Sequence, residues 1–312
     1  MDGFLPSAAS LVTVSSPVTH ERTLRSAICC TGTGLHTGRT VNVTLEPAAE
    51  GTGIVFRRSD LGLDIPARFD AVSDTRLCTM LAAPERPEIT VGTVEHLMAA
   101  LSAAGIANIV VGVDGPELPV LDGSSEPWLF LLDCAGIVDQ DAPVMVIEVL
   151  RAVRVEEGDA YAELRPGAAD CLELSMAIDF PAACIGRQTL SLSMRGDAFR
   201  EVARARTFAQ AHEIAGLRAA GLAQGGTLDN AIVVDGDRVL NPAGLRMTDE
   251  FVRHKLLDAV GDLALAGALR GRFVGNRSGH ALNNRVLRAL FADAANWRAV
   301  RADGMGWLRD AA

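Results

Sequence analysis

The chain has one tyrosine, one lysine (Lys255) and six cysteines in 312 residues, and no long apolar run. A spanning helix needs about 20 apolar residues, whereas the longest apolar stretches, 106–113 and 143–146, stop far short. No transmembrane segment is expected. The first 20 residues hold Asp2 and no basic region, so no secretory signal is expected either. The cysteines, at 29, 30, 78, 134, 171 and 184, form no C-x-x-C pair and fit reduced thiols of a cytoplasmic protein. An excess of positive charge is also missing. With 29 basic and 39 acidic residues the net charge is −10, which argues against non-specific binding to nucleic-acid backbones. Hydrophobic residues at 49% and charged residues at 22% exclude wholesale disorder.

The length suggests two domains, and the pattern falls into two halves. Residues 1–20 read as a loose extension rich in Ser, Ala and Val. From Glu21 the pattern is strand-like, with Val41, Val43 and Leu45 alternating ahead of a turn at Gly51 to Gly53. Val94 to Ala104 predicts a helix stopped by Gly105, followed by a strand from Ile109 to Val113. Ser124 or Ser125, Pro127 and Gly136 bracket a second helix. Beyond Ala142, a hairpin is expected from Val144–Val155 and Ala160–Leu164, then an alternating strand through Leu172, Leu174, Met176, Ile178 and Phe180. Helices are expected over Phe208–Ala220, Glu250–Ala266 and His280–Trp297, with a strand at Asn230–Val234 and a short one ending at Phe273–Gly275. Each half thus ends in helix, short strand, glycine-containing loop and helix. That order suggests a weak internal duplication and an α+β fold. Two similar domains are expected, 21–141 and 142–312, with the active site between them.

Six histidines are available for chemistry. His20 and His36 lack patterned acidic neighbours and read as surface or loop residues, and His212 beside Glu213 as part of a solvated helix face. His254 and Asp258 stand at i and i+4 on the long helix. Their side chains leave one face a turn apart, where they can share a divalent ion or form a plain ion pair. Asp262, one turn further, can orient another histidine. Glu95 and His96 open the first-half helix. Neighbouring side chains diverge by about 100°, so Glu95 could reach a water on a metal held by His96; a charged first turn favoured by the helix dipole fits as well. His280 follows Asn276-Arg277-Ser278-Gly279, a setting for a phosphate with Arg277 as anion partner, or for simple polar capping. The GTGLHTG run at 32–38 has GxGxxxG spacing without a βαβ context and carries little weight as a dinucleotide loop.

Longer motifs stand in order along the chain: Arg22-Thr23-Leu24, GTGLHTG (32–38), DTRLCTML (74–81), TVEHLMAAL (93–101), LPVLDGSSEPW (118–128), ARTF (205–208), GGTLDNAIV (225–233), DEFVRHKLLDAVGDL (249–263) and SGHALNN (278–284). Through them, from about Glu21 to Leu290, the chain resembles the zinc-dependent UDP-3-O-acyl-N-acetylglucosamine deacetylases of lipid A biosynthesis. There is no HExxH, which disfavours a metalloprotease.

The resemblance implies two α+β domains with a small insert in each. It implies His96, His254 and Asp258 as ligands of zinc, with ferrous iron as the other candidate, and Glu95 as the base that takes a proton from metal-bound water. Thr207 would help stabilise the oxyanion, His280 would serve as general acid or electrostatic partner, and Asp262 would hold the charged form of His280. Lys255, Phe208, Arg277 and Leu77 would contact substrate. An insert at about 208–234 would form the acyl passage, with Phe208, Ile214, Leu217 and Leu222 as lining. Arg277 stands where many members have Lys, and Met176 replaces an aromatic residue near the nucleotide. Cys78 is expected near the metal, as packing or as a competing thiolate. The expected protein is a cytoplasmic monomer acting on a UDP-linked acyl amino sugar, with transient membrane-surface contact conceivable and no nucleic-acid partner. Alternative readings are a zinc amidase for a different acylated amino sugar and a non-catalytic lipid or nucleotide binder; the joint presence of all the site residues opposes the binder.

Overall fold

The computed structural model describes residues 18–302, so most of the expected N-terminal extension lies outside the described residues. Among the described residues are six α-helices: α1 (Glu95–Ala104), α2 (Glu126–Ala135), α3 (Arg200–Ala203), α4 (Ala211–Ala219), α5 (Glu250–Ala264) and α6 (His280–Phe291).

One path of strands occurs twice. In the first half, Ile28–Thr33 pairs antiparallel with Thr40–Pro47, and Ile54–Arg58 with Leu63–Pro66. Ile109–Val113 joins the two hairpins, antiparallel to Thr40–Pro47 and parallel to Ile54–Arg58. In the second half, Val153–Glu157 pairs with Ala160–Arg165, and Leu172–Asp179 with Arg187–Ser193. Ala268–Asn276 joins these hairpins with the same directions, antiparallel to Ala160–Arg165 and parallel to Leu172–Asp179. Each joining strand follows one long helix (α1 or α5) and leads into another (α2 or α6). The duplication suggested by element order therefore extends to strand pairing and direction.

Each half also carries a three-stranded sheet ahead of the first of these helices or beside it in sequence. Val72–Asp74, Met80–Ala83 and Arg86–Val91 form one; Phe208–Gln210, Ile232–Asp235 and Arg238–Val239 form the other. The second large sheet gains Met145–Val149 and Trp297–Arg301, and His20–Leu24 pairs with Ile137–Pro143.

Helices α1 and α5 lie at the centre. Helix α1 is rich in Ala, Leu and Met, and Gly105 ends it at φ 68°, a left-handed cap that costs glycine little. All residues from Glu95 to Leu101 are buried, the signature of a helix enclosed on every side. Burying side chains such as Leu97, Met98 and Leu101 stabilises by about 1.5–3 kcal/mol each. Helix α5 packs against α1, α6 and the strand Leu172–Asp179, and is buried along most of its length. Alternating residues of the first sheet, among them Val41, Val43, Leu45, Ile109, Val111 and Val113, complete the same core.

Four local expectations change. Phe208–Gln210 is a strand pairing parallel with Ile232–Asp235, and the helix begins only at Ala211, after a capping box between Gln210 and Glu213. Trp297–Arg301 is a strand on Met145–Val149; helix α6 stops at Phe291, and Asp293 turns the chain by accepting from the amides of Ala295 (side chain) and Asn296 (carbonyl). The expected strand Val144–Val155 breaks into Met145–Val149 and Val153–Glu157, which belong to different parts of the sheet. Ala268–Asn276 is a full nine-residue central strand. In each case pairing partners distant in sequence override the local pattern.

Candidate active site

The α1–α5 contact brings together ionisable groups from both halves of the chain. His254 and Asp258, one turn apart on α5, stand with His254 Nε2 3.3 Å from Asp258 Oδ1. His96 from α1 reaches the same oxygen with its Nε2 at 3.6 Å. One ligand atom from each of these three buried residues lies within 4.8 Å of the others.

This cluster fits a divalent metal. Asp258 Oδ1 is buried and has no hydrogen-bond partner, an arrangement that is costly unless a positive group meets it. The Ala205 carbonyl accepts from His254 Nδ1 at 3.1 Å, which directs Nε2 toward the cluster with its lone pair free. Burial drives the His254 pKa down to about 4 against the attraction of Asp258, so the imidazole is neutral, as a ligand must be. Burial also opposes charge on Asp258, but His254 and Lys255 beside it hold its carboxyl well below the usual range. Lys255 Nζ donates to Asp258 Oδ2 at 2.7 Å and leaves Oδ1 to the cluster. Ser125, the residue before α2, gives its hydroxyl to the His96 carbonyl and ties the start of α1 in place.

Beside the cluster lies an acid–base pair. Glu95 Oε1 and His280 Nε2 are 4.0 Å apart. His280 Nδ1 donates to Asp262 Oδ2 at 2.9 Å. Burial disfavours charge on His280, but Asp262, Glu95 and Asp258 outweigh it and raise the pKa to about 9. Burial raises the Glu95 carboxyl above the usual range, with His280 and His96 pulling the other way. Thr79 and Asn283 complete the network: Thr79 donates to both carboxylates, and Asn283 Nδ2 donates to Asp262 Oδ2 at 2.9 Å. Neither was singled out in the sequence. Asn283 stands three residues after His280, a helical spacing that points to the same face; nothing in the sequence links Thr79 to Asp262, 183 positions away.

The segment 205–207 is fastened at several points. Arg206 forms a buried ion pair with Glu250, Nε to Oε1 at 2.8 Å, and the Thr207 amide donates to the Gly123 carbonyl at 2.8 Å. A methyl group on Gly123 (φ 85°) would meet the Asn230 carbonyl oxygen at 2.0 Å, so only glycine fits there.

Two cavities adjoin these groups. The first, of about 450 Å³, is lined by Leu77, Cys78, Leu217 and Leu222 together with His36 and Thr37. The second, of about 290 Å³, is lined by Lys255, Arg277, Ser278, Phe180 and Asp179.

Over residues 21–292 the chain matches the UDP-3-O-acyl N-acetylglycosamine deacetylase family, LpxC. It is 49% identical over 289 residues to the UDP-3-O-acyl-N-acetylglucosamine deacetylase of Idiomarina loihiensis, a stretch covering 91% of this chain and 93% of that protein. The protein of the same name from Acidithiobacillus ferrooxidans is 49% identical over 286 residues, 90% and 92% of the two chains. That from Phenylobacterium zucineum is 48% identical over 283 residues, 89% and 95%. The chain belongs to this deacetylase family.

The remaining residues suggested by the family resemblance divide between the cavities. Leu77, with Leu217 and Leu222, is on the first; Lys255 and Arg277 are on the second. Phe208 packs edge-on against Phe180, Phe251 and His254, at ring-centroid distances of 5.4, 5.0 and 6.2 Å, and does not line the first cavity. Met176 is buried at 2% exposure and accepts from Ser278, so it lies beneath the second cavity's wall. Cys78 is buried, and burial with Glu95 nearby pushes its thiol up to about 12, so it stays protonated. His36, expected as a surface or loop residue, lies in a turn and is half-buried in the wall of the first cavity, its backbone amide held by Glu117. Among the described residues no helix is long and apolar enough to cross a membrane.

Proposed function

We propose that this chain is a zinc-dependent amide hydrolase that removes the N-acetyl group from UDP-3-O-(3-hydroxyacyl)-N-acetylglucosamine. The products are acetate and UDP-3-O-(3-hydroxyacyl)-glucosamine, and the reaction is the committed step of lipid A biosynthesis. The observation that carries the reading is the facing pair Glu95 Oε1 and His280 Nε2, 4.0 Å apart beside the His96–His254–Asp258 cluster. Hydrolysing an amide requires an activated water, a stabilised oxyanion and a proton for a poor leaving group.

His96, His254 and Asp258 would hold the metal, with zinc favoured by two imidazoles and one carboxylate and ferrous iron as the alternative. When bound, the ion would polarise the amide carbonyl and acidify a water. Glu95, whose buried carboxyl has a raised pKa, takes the proton of the attacking water. His280, with a pKa of about 9, is charged at neutral pH and passes its Nε2 proton to the amine as the C–N bond breaks. Asp262 fixes the ring through Nδ1. Thr207 supplies a hydroxyl to the oxyanion, on a backbone segment anchored by Arg206 and Glu250.

Lys255 and Arg277 offer cationic partners for the diphosphate in the second cavity. Leu77, Leu217 and Leu222 offer an apolar wall for the acyl chain, and Phe208 supports the site beside His254. In this reading residues 21–141 and 142–312 are two domains that each contribute part of the site. Six free cysteines support a cytoplasmic enzyme, and the proposed form is a monomer.

The test is acetate release from UDP-3-O-acyl-N-acetylglucosamine by purified protein, with chelation and zinc restoration. Release that chelation abolishes and zinc restores is expected. No release from folded, zinc-loaded protein would overturn the reading.

A further inference from the structure

Thr79 touches Glu95 and the His280 partner Asp262, and the chemistry above gives it no part. It is buried at 1% exposure in the loop before Met80–Ala83. Its backbone amide donates to Glu95 Oε2 at 3.0 Å, and its hydroxyl donates to Asp262 Oδ1 at 2.6 Å. With Oε2 occupied, Oε1 is the Glu95 oxygen that faces His280. With Oδ1 occupied, Asp262 is left to receive His280 and Asn283 on Oδ2. An unbroken chain of contacts therefore runs Glu95–Thr79–Asp262–His280.

The backbone on either side is held in an uncommon conformation. Leu77, two residues before Thr79, has φ 68°, and Thr93, two residues before Glu95, has φ 56°. Non-glycine residues keep such angles only where the surroundings enforce them. The Val94 amide reaches the Thr79 carbonyl at 3.4 Å, so the two strained segments are joined. Thr79 is buried, and both of its donors are spent inside the protein, the amide on Glu95 and the hydroxyl on Asp262.

We propose that Thr79 is a positioning residue that fixes the proton-accepting carboxylate of Glu95 and the Asp262–His280 pair relative to one another. The inference rests on the reading of Glu95 and His280 as base and acid of the amide hydrolysis. The Thr79 hydroxyl is the donor on Asp262 Oδ1, while the imidazole and Asn283 share Oδ2, so a hydroxyl at position 79 draws part of the carboxylate charge away from His280. Without it, the Asp262 charge falls more fully on His280, which then holds its proton more tightly and gives it up less readily. The charged groups facing His280 are Asp262 and Asp258 on α5 and Glu95 on α1, with Lys255 in electrostatic reach of Asp262; Asn283 and Thr79 are neutral.

The experiment compares metal-loaded wild type with Thr79→Val and Thr79→Ser. Acetate release gives kcat and KM, metal content is measured, and the His280 ring is titrated by NMR. The valine variant is expected to lose about 10- to 100-fold in kcat, the usual effect of removing a partner that orients a site group, with KM and metal content unchanged. Its His280 titration should move to higher pH, and the serine variant should keep most of kcat and the wild-type titration. Wild-type kcat in the valine variant overturns the proposal. So does an equal loss in both variants with an unmoved His280 titration, which would reduce Thr79 to packing. If the valine variant does not fold, Thr79→Ala takes its place with the same expected outcome. Wild type that releases no acetate would overturn the proposed reaction, while the NMR comparison would still decide whether Thr79 governs His280.

Discussion

A methyl group on Gly261 would lie 2.0 Å from the carbonyl oxygen of Glu95, well inside contact distance. The two central helices therefore cross backbone to backbone at this point, one turn from Asp258 and at the first residue of α1. Gly261→Ala would gain about 1 kcal/mol of helix propensity. Overpacking costs about 1–3 kcal/mol or more, and here the clash is with backbone that cannot rotate away. The second effect wins. The variant should melt at lower temperature and lose most turnover, because Glu95 and His96 are displaced from His254 and Asp258. Calorimetry and kcat check this; an alanine variant with unchanged melting and rate would show that the helices tolerate separation.

Glu95→Gln should keep the metal and lose about 10²- to 10⁴-fold in kcat, the range for a general base. The amide can still accept from Thr79, so folding should survive. Metal analysis beside steady-state kinetics separates the two functions. Wild-type-like rates would remove Glu95 from proton transfer.

His254→Ala and Asp258→Asn should each lower metal retention on dialysis. Both should also abolish the rise in melting temperature that metal gives the wild type, since an ion bound only to the native state stabilises it by mass action. Chelating the wild type should reproduce the shift. Metal content unchanged in the His254 variant would refute its role as a ligand.

Activity should follow a bell-shaped pH profile. His280, raised from 6.5 to about 9, must be protonated, so the alkaline limb falls near its raised value. Its contribution to stability has the same sign: complete below about 6.5 and lost as pH rises through about 9. Glu95 must be ionised, and its pKa lies above 4.5, so the acid limb stands above the usual carboxylate range. Asp262→Asn removes the charge that does most to raise His280 and should bring the alkaline limb down toward 6.5. Measuring kcat/KM against pH for both proteins decides it; an unmoved limb would detach Asp262 from His280.

What could be read from the sequence follows the range of the forces involved. Helix α1 and its Gly105 stop, the alternating strand Leu172–Asp179 and the His254–Asp258 face are local patterns, and each stands as read. The Phe208 and Trp297 segments also look helical locally, yet parallel pairing with Ile232 and antiparallel pairing with Val149 make them strands. The same limit applies at the site. The pairing of His254 with Asp258 is encoded in i, i+4 spacing, whereas the meeting of Thr79 with Asp262 is created only when the loop before Met80–Ala83 comes against α5. His36 lies in a loop, as read, but its part in a cavity wall was not legible. Glu117, which holds its amide, is 81 residues away, and the cavity wall it joins leaves no local mark.

Leu217 gives the acyl-chain reading a direct test. It lies on α4, none of whose residues is buried, so enlarging it should not disturb folding. Its side chain nonetheless faces the first cavity with Leu77 and Leu222. Leu217→Trp should fill part of that space and exclude the distal methylenes of a long acyl chain. Two methylenes at about 0.8 kcal/mol each amount to roughly 1.6 kcal/mol, or about a tenfold loss of affinity. KM should rise by about that factor for a long-chain substrate, kcat should hold, and a short-chain analogue should be unaffected. Equal KM changes for both substrates would mean that the acyl chain lies elsewhere, because only a chain long enough to reach Leu217 can sense the added ring.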